Sequence, residues 1–280
     1  MRSRTLLLVA ALTFLLASTA VCGSDSEEEF VKKYFGKIEK KHAQKLGWLS
    51  GYFSLNRINR DNDYNKFASF ETTNFTDATL SWLGEAKIFG LDMGLVFHRR
   101  FAWNISLEYW LKIGQSLEGT YFYVPTGTYV ENPTSEVTVY GASTGLQYYF
   151  WNPPSAKGEF DKLALRGGAN VGFYKAKWEV WDEYQNLNLS TNSPDVSTAS
   201  FEDQAVSFSA LIGVDYPTGI FDFVLGVDFS YQYLNFDNVA WYNEDDEEII
   251  ATYTGTSDGR VNLGLSGFRG KIEIKHFVSW

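Results

Sequence analysis

Through most of this chain the residues alternate, apolar then polar, with a period of two. Trp103, Ile105, Leu107, Tyr109, Leu111 and Ile113 alternate with Asn104, Ser106, Glu108, Trp110, Lys112 and Gly114. A helix brings residues to one face every 3.6 positions and would scatter this pattern. A strand sends successive side chains to opposite faces and sorts it cleanly. Eight segments read this way, at 47–56, 82–97, 103–114, 140–150, 163–173, 206–216, 221–232 and 260–280. In the last of them the phase slips near Ser266-Gly267, since Leu263 and Leu265 are odd-numbered while Ile272 and Ile274 are even. A β-bulge there would restore the face. The 17% aromatic content and the scarcity of proline suit a chain built of strands.

The connections alternate as well. Short turns are read at "HRRF", "NPPSAKGEFDK" and "PTG"; long loops come after the first, third, fifth and seventh strands. In an antiparallel meander this puts every long loop at one end and every short turn at the other.

Alternation alone does not say which face meets solvent. A soluble lipocalin-like barrel turns its apolar face inward, whereas a membrane barrel turns it outward. Four features favour the membrane. The clearest strands reach the roughly 10 residues that a tilted strand needs to cross a bilayer. Their polar faces mix Gly, Ser, Asn and charges of both signs, which suits a narrow polar lumen. Aromatics gather beside the short turns, at Phe97, Phe101, Trp103, Tyr148, Phe150, Trp151, Tyr216, Phe221 and Trp280, as in an interface girdle. Finally, "MRSRTLLLVAALTFLLASTAVCG" has Arg2 and Arg4, an apolar run from Leu6 to Leu16, then small residues, which is a secretory signal. Cleavage fits after Ala20 or after Gly23. Cys22 lacks a good lipobox, because Val21 is bulky where a small residue is wanted. No later stretch has the 18 or more consecutive apolar residues of a membrane helix.

The expected fold is therefore all-β: an eight-stranded antiparallel up-and-down transmembrane β-barrel over 47–280. Ahead of it stand a signal peptide at 1–23 and a short periplasmic amphipathic helix at 24–46. That helix opens with Ser26 and Glu29 as a capping box and sets Phe30, Val31, Tyr34, Phe35 and Ile38 on one face.

The end of the chain, "GKIEIKHFVSW", places Ile272, Ile274, Val278 and Trp280 on one face and finishes on an aromatic. This resembles the C-terminal assembly signal of bacterial outer-membrane barrels, although His276 departs from the usual pattern. The arrangement as a whole looks like the small eight-stranded outer-membrane barrels, the group of the OmpA membrane domain, OmpX and OmpW. The resemblance rests on architecture over 46–280; no motif ties the chain to one member. It implies a place in the bacterial outer membrane, the barrel-assembly machinery, outer-membrane lipid and lipopolysaccharide as partners, and a monomer.

Chemistry-bearing residues are few. The net charge of −10 and pI near 4.9 leave no basic stripe for nucleic acid. One cysteine excludes an internal disulfide and any multi-cysteine metal site. Of the three histidines, His42, His98 and His276, none stands two positions from a serine on a strand, as a Ser-His lipase would need. No catalytic residue, cofactor or metal is expected. The acidic run Glu244, Asp245, Asp246, Glu247 and Glu248 is a solvated loop or a place of contact with divalent cations. "DNDYN", 61–65, resembles the start of a calcium loop but has Lys66 where glycine is needed, and is taken as chance. The loop aromatics Tyr121, Phe122, Tyr123, Tyr129, Trp178, Trp181, Tyr184, Trp241 and Tyr242 either cap the barrel or bind a ligand.

The polar face is more telling. Asp92, Glu108, Arg166, Asp228, Lys271 and Glu273 lie at similar distances from the short-turn ends of their strands, with Lys112, Arg269 and Lys275 flanking them. Charges this close in a narrow lumen must pair or be hydrated. They form a salt-bridge network that closes the lumen, or else a gate on a narrow ion path. Side chains about fill an eight-stranded barrel, so a wide pore is excluded. The expected function is membrane integrity or surface interaction through four long extracellular loops, with a polar and largely closed lumen. The alternatives are a narrow channel for small or hydrophobic solutes, as in OmpW, and an enzyme that modifies lipid A.

Overall fold

A computed structural model of the chain describes residues 46–76, 79–97, 100–124, 127–154, 163–185, 195–220, 223–242, 246–249 and 260–279. The signal peptide and the N-terminal helix expected at 24–46 lie outside the described residues, except that Leu46 opens the first strand.

Eight strands carry the fold: β1 (Leu46–Ile58), β2 (Glu85–Phe97), β3 (Phe101–Ser116), β4 (Thr128–Trp151), β5 (Ala164–Gln185), β6 (Asp195–Pro217), β7 (Phe223–Tyr233) and β8 (Gly267–Ser279). Each pairs antiparallel with the next. The ring closes where β8 pairs β1, from Leu46 opposite Ser279 to Ile58 opposite Gly267. Closure gives every strand two partners, which is what lets backbone amides and carbonyls survive in hydrocarbon.

The outer wall has the expected parity. Phe89, Leu91, Met93 and Leu95 on β2 point outward and are exposed, as are Leu225, Phe229 and Tyr231 on β7 and Ile272, Ile274 and Val278 on β8. At the short-turn end Phe97 stacks on Phe101 at 6.0 Å, and Phe101 lies 5.0 Å from Tyr148. With Phe150, Trp151 and Tyr216 they form one aromatic girdle. Tyr109, Tyr140, Tyr231 and Tyr233 stand farther toward the long loops. An apolar outer wall bordered by aromatics on a closed barrel is the surface of a membrane-spanning barrel.

Beyond this belt the polarity inverts. On β5 the outward residues pass from Val171 and Phe173 to Lys175, Lys177 and Glu179, while the inward ones become Ala176, Trp178 and Val180, all buried. The same exchange puts Ile88 inside β2, Trp110 and Ile113 inside β3, and Val137 and Val139 inside β4. Here the wall meets water, so the apolar face turns to the interior as in a soluble barrel. The strands consequently extend well past the stretches that sequence assigns them. β4 begins at Thr128 and β5 runs to Gln185, both inside segments read as loops.

The inversion also removes the expected phase slip. Leu263 and Leu265 are fully buried, and Arg269, Glu273 and Lys275 are buried at the same parity. The strand segment Val261–Gly264 pairs with Asn235–Val239, and β8 starts afresh at Gly267. The odd-numbered face stays inward throughout; the interior changes from apolar to charged beneath it.

The loop after β1 holds a helix, α1 (Asp63–Asn74). "DNDYN" is its start signal. Asn62 caps it, its Oδ1 accepting from the Asn65 amide at 3.0 Å, and Asp63 adds a carboxylate to the first turn, where the helix dipole favours it. Tyr64, Phe67 and Ala68 of α1 are buried against Trp178, with Tyr64 5.1 Å and Phe67 5.5 Å from its ring. Burial pushes the Tyr64 phenol above its ordinary range, so it stays neutral. Phe201, Leu234, Phe236, Trp241, Leu263 and Leu265 complete this apolar cap.

Inward glycines let aromatic rings cross the lumen. A Cβ on Gly94 would fall 2.2 Å from the Trp48 indole, and one on Gly90 would fall 2.2 Å from the Tyr52 ring. Gly94→Val should displace Trp48 and cost about 1–3 kcal/mol, the range for overpacking. Urea unfolding in lipid vesicles measures it; an unchanged midpoint would mean that the indole is free to move aside.

Candidate functional site

Between the cap and the short-turn end lies a layer of buried charge. Arg166, on β5 and fully buried, is its hub. Its Nε donates to both Asp215 oxygens at 3.2 Å, and its Nη1 donates to Gln147 Oε1 at 3.0 Å. Its Nη2 pairs with Asp228 Oδ1 at 2.6 Å and with Glu273. Lys275 Nζ lies 2.9 Å from Asp215 and 3.1 Å from Glu273. Lys271 Nζ reaches Asp228 at 2.9 Å, Glu273 at 3.0 Å and Asp92 at 3.8 Å. Neutral donors complete the set. Tyr149 OH donates to Asp215 at 2.9 Å, and Asn104 Nδ2 and Ser106 Oγ donate to Asp92 Oδ1 at 3.2 and 3.1 Å.

A second group sits beside Lys271. Arg269 grips Glu108 with Nη1, at 2.9 and 3.0 Å from its two oxygens, and its Nε donates to Ser54 Oγ at 2.9 Å. Tyr52 OH donates to the same carboxylate at 2.9 Å. The Tyr52 ring lies 5.6 Å from the Arg269 guanidinium and 4.9 Å from the Lys271 ammonium, both over its face.

Five carboxylates, Asp92, Glu108, Asp215, Asp228 and Glu273, thus share the layer with four bases, Arg166, Arg269, Lys271 and Lys275. An isolated buried charge costs several kcal/mol, so each side chain here depends on its neighbours. The space left among them is about 30 Å³, bordered by Ser143, Asn170, Ser207 and Gln232, with room for about two waters. On the short-turn side of the layer lies an apolar floor of packed residues, Leu46, Trp48, Ala102, Tyr149, Ala164, Val224 and Phe277. The interior is therefore built in three tiers: apolar floor, charged middle, apolar cap.

The structure brings together Asp92, Glu108, Arg166, Asp228, Arg269, Lys271 and Glu273 from the expected network, with the flanking Lys275. It does not bring in Lys112. A register shift between Trp110 and Ile113 turns that lysine outward, where its side chain is 63% exposed and pairs with Glu136 at 2.5 Å. Sequence reasoning missed Asp215, Tyr149 and Tyr52. All three stand at inward parity on their strands, and that parity was the signal available.

Elsewhere, Trp178 and Trp241 belong to the buried cap, 4.8 Å apart, which settles their side of the choice between cap and ligand contact. Phe122 packs on Tyr129 at 5.2 Å in the loop hairpin. The side chains of Trp181 and Tyr184 lie outside the described residues. In the acidic run, Glu248 pairs with Arg260 at 2.6 Å; Asp246 and Glu247 are exposed; Glu244 and Asp245 lie outside the described residues. Among the described residues no group of acidic, histidine or cysteine side chains could hold a metal ion. His276 faces outward, 5.1 Å from the Phe223 ring. Trp280, Phe221 and His98 lie outside the described residues.

No protein-family model matches the sequence, and no curated protein matches it either. Similar solved structures are outer-membrane proteins. The outer membrane protein OprG from Pseudomonas aeruginosa is 11% identical; the match covers 84% of this chain and 96% of that one, with a TM-score of 0.44. A major outer membrane protein from Thermus thermophilus is 10% identical over 85% of this chain and 100% of that one, with a TM-score of 0.47. Ail, the attachment invasion locus protein of Yersinia pestis, is 12% identical over 84% and 99%, with a TM-score of 0.37. The fold itself rests on the closed ladder from β1 round to β8.

Proposed function

We propose that this protein is a closed barrel of the bacterial outer membrane, acting in membrane integrity and surface contact and not in passage of solutes. The observation that carries this is the three-tiered interior. A solute entering from the long-loop end meets packed aromatics and α1, then paired charges, then an apolar floor. The apolar belt, the girdles and the secretory signal support the location. The long loops stand outside and the short turns in the periplasm, as in other barrels of this type. The barrel acts as a monomer among outer-membrane lipids, inserted by the barrel-assembly machinery.

Conductance in planar bilayers tests this. The folded protein should give no steady ion steps. Steps that vanish on Glu108→Gln or on Arg166→Met would establish the narrow channel instead, with the charged tier as its constriction. Loss of lipid A acyl chains when the protein is expressed in cells would count for the lipid-modifying enzyme.

A further inference from the structure

The outer wall is not uniform. On the side formed by β6, β7, β8, β1 and β2, a shallow, open groove of about 830 Å³ lies on the outer wall. Its floor is Gly270. A Cβ added there would meet nothing within 4 Å, so a missing side chain makes the hollow. Leu55 and Phe229 stand beside Gly270 on the neighbouring strands, and Phe268 and Tyr231, 5.2 Å apart, stand one step closer to the long loops. All four are exposed, Phe268 at 72% and Phe229 at 66%.

Basic side chains gather at the long-loop end of this groove. Arg57 comes after Leu55 on the same face of β1 and lies opposite Phe268; Arg60 lines the same end. Lys87, opposite Leu55 on β2, faces outward beside them. Glu85 is the one acid on this rim. Among the described residues none of these three bases has an ion-pair partner. The other lysines at this border are all paired: Lys112 with Glu136, Lys175 with Glu202, and Lys177 with Glu179.

We infer that this groove seats one molecule of lipid A, the phosphorylated and multiply acylated glycolipid of the outer leaflet. Its acyl chains would lie in the hollow over Gly270, and a phosphate would meet Arg57, Arg60 and Lys87. Charge complementarity selects the occupant. The hollow suits any acyl chain, but three bases against the single acid Glu85, which stands opposite Arg57, leave an excess of positive charge at the outer-leaflet border that calls for a polyanionic headgroup. This rests on the orientation given above, with long loops outside; it does not depend on whether the lumen conducts.

The test is native mass spectrometry of the full-length mature protein in detergent, titrated with lipid A, dephosphorylated lipid A and phosphatidylglycerol. One lipid A should bind in preference to the other two. Arg57→Gln with Arg60→Gln should weaken it roughly 30-fold, as expected for two surface arginines. Gly270→Leu should abolish binding while the unheated protein still runs on SDS gels as a folded band apart from the heated one. If Gly270→Leu fails to fold, the arginine pair, both exposed, decides alone. Equal retention of dephosphorylated lipid A or of phosphatidylglycerol would overturn the assignment. So would unchanged binding in the arginine variant or in a folded Gly270→Leu.

Discussion

Arg166→Met should be among the most damaging single changes in this protein, lowering stability by about 3–5 kcal/mol, the usual cost of removing one partner from a buried ion pair. The arginine touches three carboxylates, Asp215, Asp228 and Glu273, and all three are buried. Lys275 and Lys271 still approach those acids, so the loss is large but the tier does not lose all compensation. Urea unfolding in vesicles gives the number. Lys112→Met, which removes an exposed charge outside the tier, serves as the control and should leave the midpoint in place. Arg166→Met combined with Asp215→Asn should recover part of the loss, because one orphaned charge goes with the base. If Arg166→Met instead unfolds with the parent, these charges are hydrated and the lumen is wetter than its packing implies.

Trp178→Ala should cost a similar amount, about 3–5 kcal/mol, by a different route: a cavity in packed aromatics. The indole lies within 6 Å of Tyr64, Phe67, Phe201 and Trp241, and its Nε1 donates to Ser135 Oγ at 2.9 Å. Because Tyr64 and Phe67 are the residues that hold α1 in the barrel mouth, the substitution should also loosen the helix. Brief proteolysis of the folded protein in vesicles should then cut within 59–84 at rates well above the parent's. An equally protected loop would show that α1 is held by its polar contacts, such as Asn65 donating to the carbonyls of Arg60 and Leu83.

The two predictions draw on parts of the fold that the sequence disclosed unequally. Strand parity was legible because one face of each strand meets lipid and the other does not, so a whole side chain's worth of burial repeats every second residue. The charged tier was legible for the same reason, once acids and bases were counted back from the short turns. Three things were hidden. Above the membrane the alternation persists but its sense reverses, so Val137, Val139, Trp178 and Leu263 read as loop residues or as a phase slip. Lys112 was misplaced because a one-residue irregularity in β3 swaps the faces of the residues beyond it. Gly114, at φ +146°, is the mark it leaves in the sequence. And "DNDYN" carries a helix cap that looks, out of context, like a fragment of a cation loop.

The distribution of the buried charges over the strands bears on how the barrel closes. Asp92, Glu108, Asp215 and Asp228 stand on β2, β3, β6 and β7, with only Arg166 of β5 to offset them. Seven strands curled into an open sheet would thus present a lining of net charge −3. The final strand brings Arg269, Lys271 and Lys275 with Glu273, a net +2. The eighth strand of the ring is therefore the counter-ion of the seven before it, and its charges disfavour some other registers. At the native register Lys271 lies opposite Asp228; a slip of two residues in one direction would set Glu273 there instead, acid against acid. The seam is keyed by electrostatics from within, while the lipid face of the same strand, uniformly apolar from Ile272 to Ile274, would accept either setting.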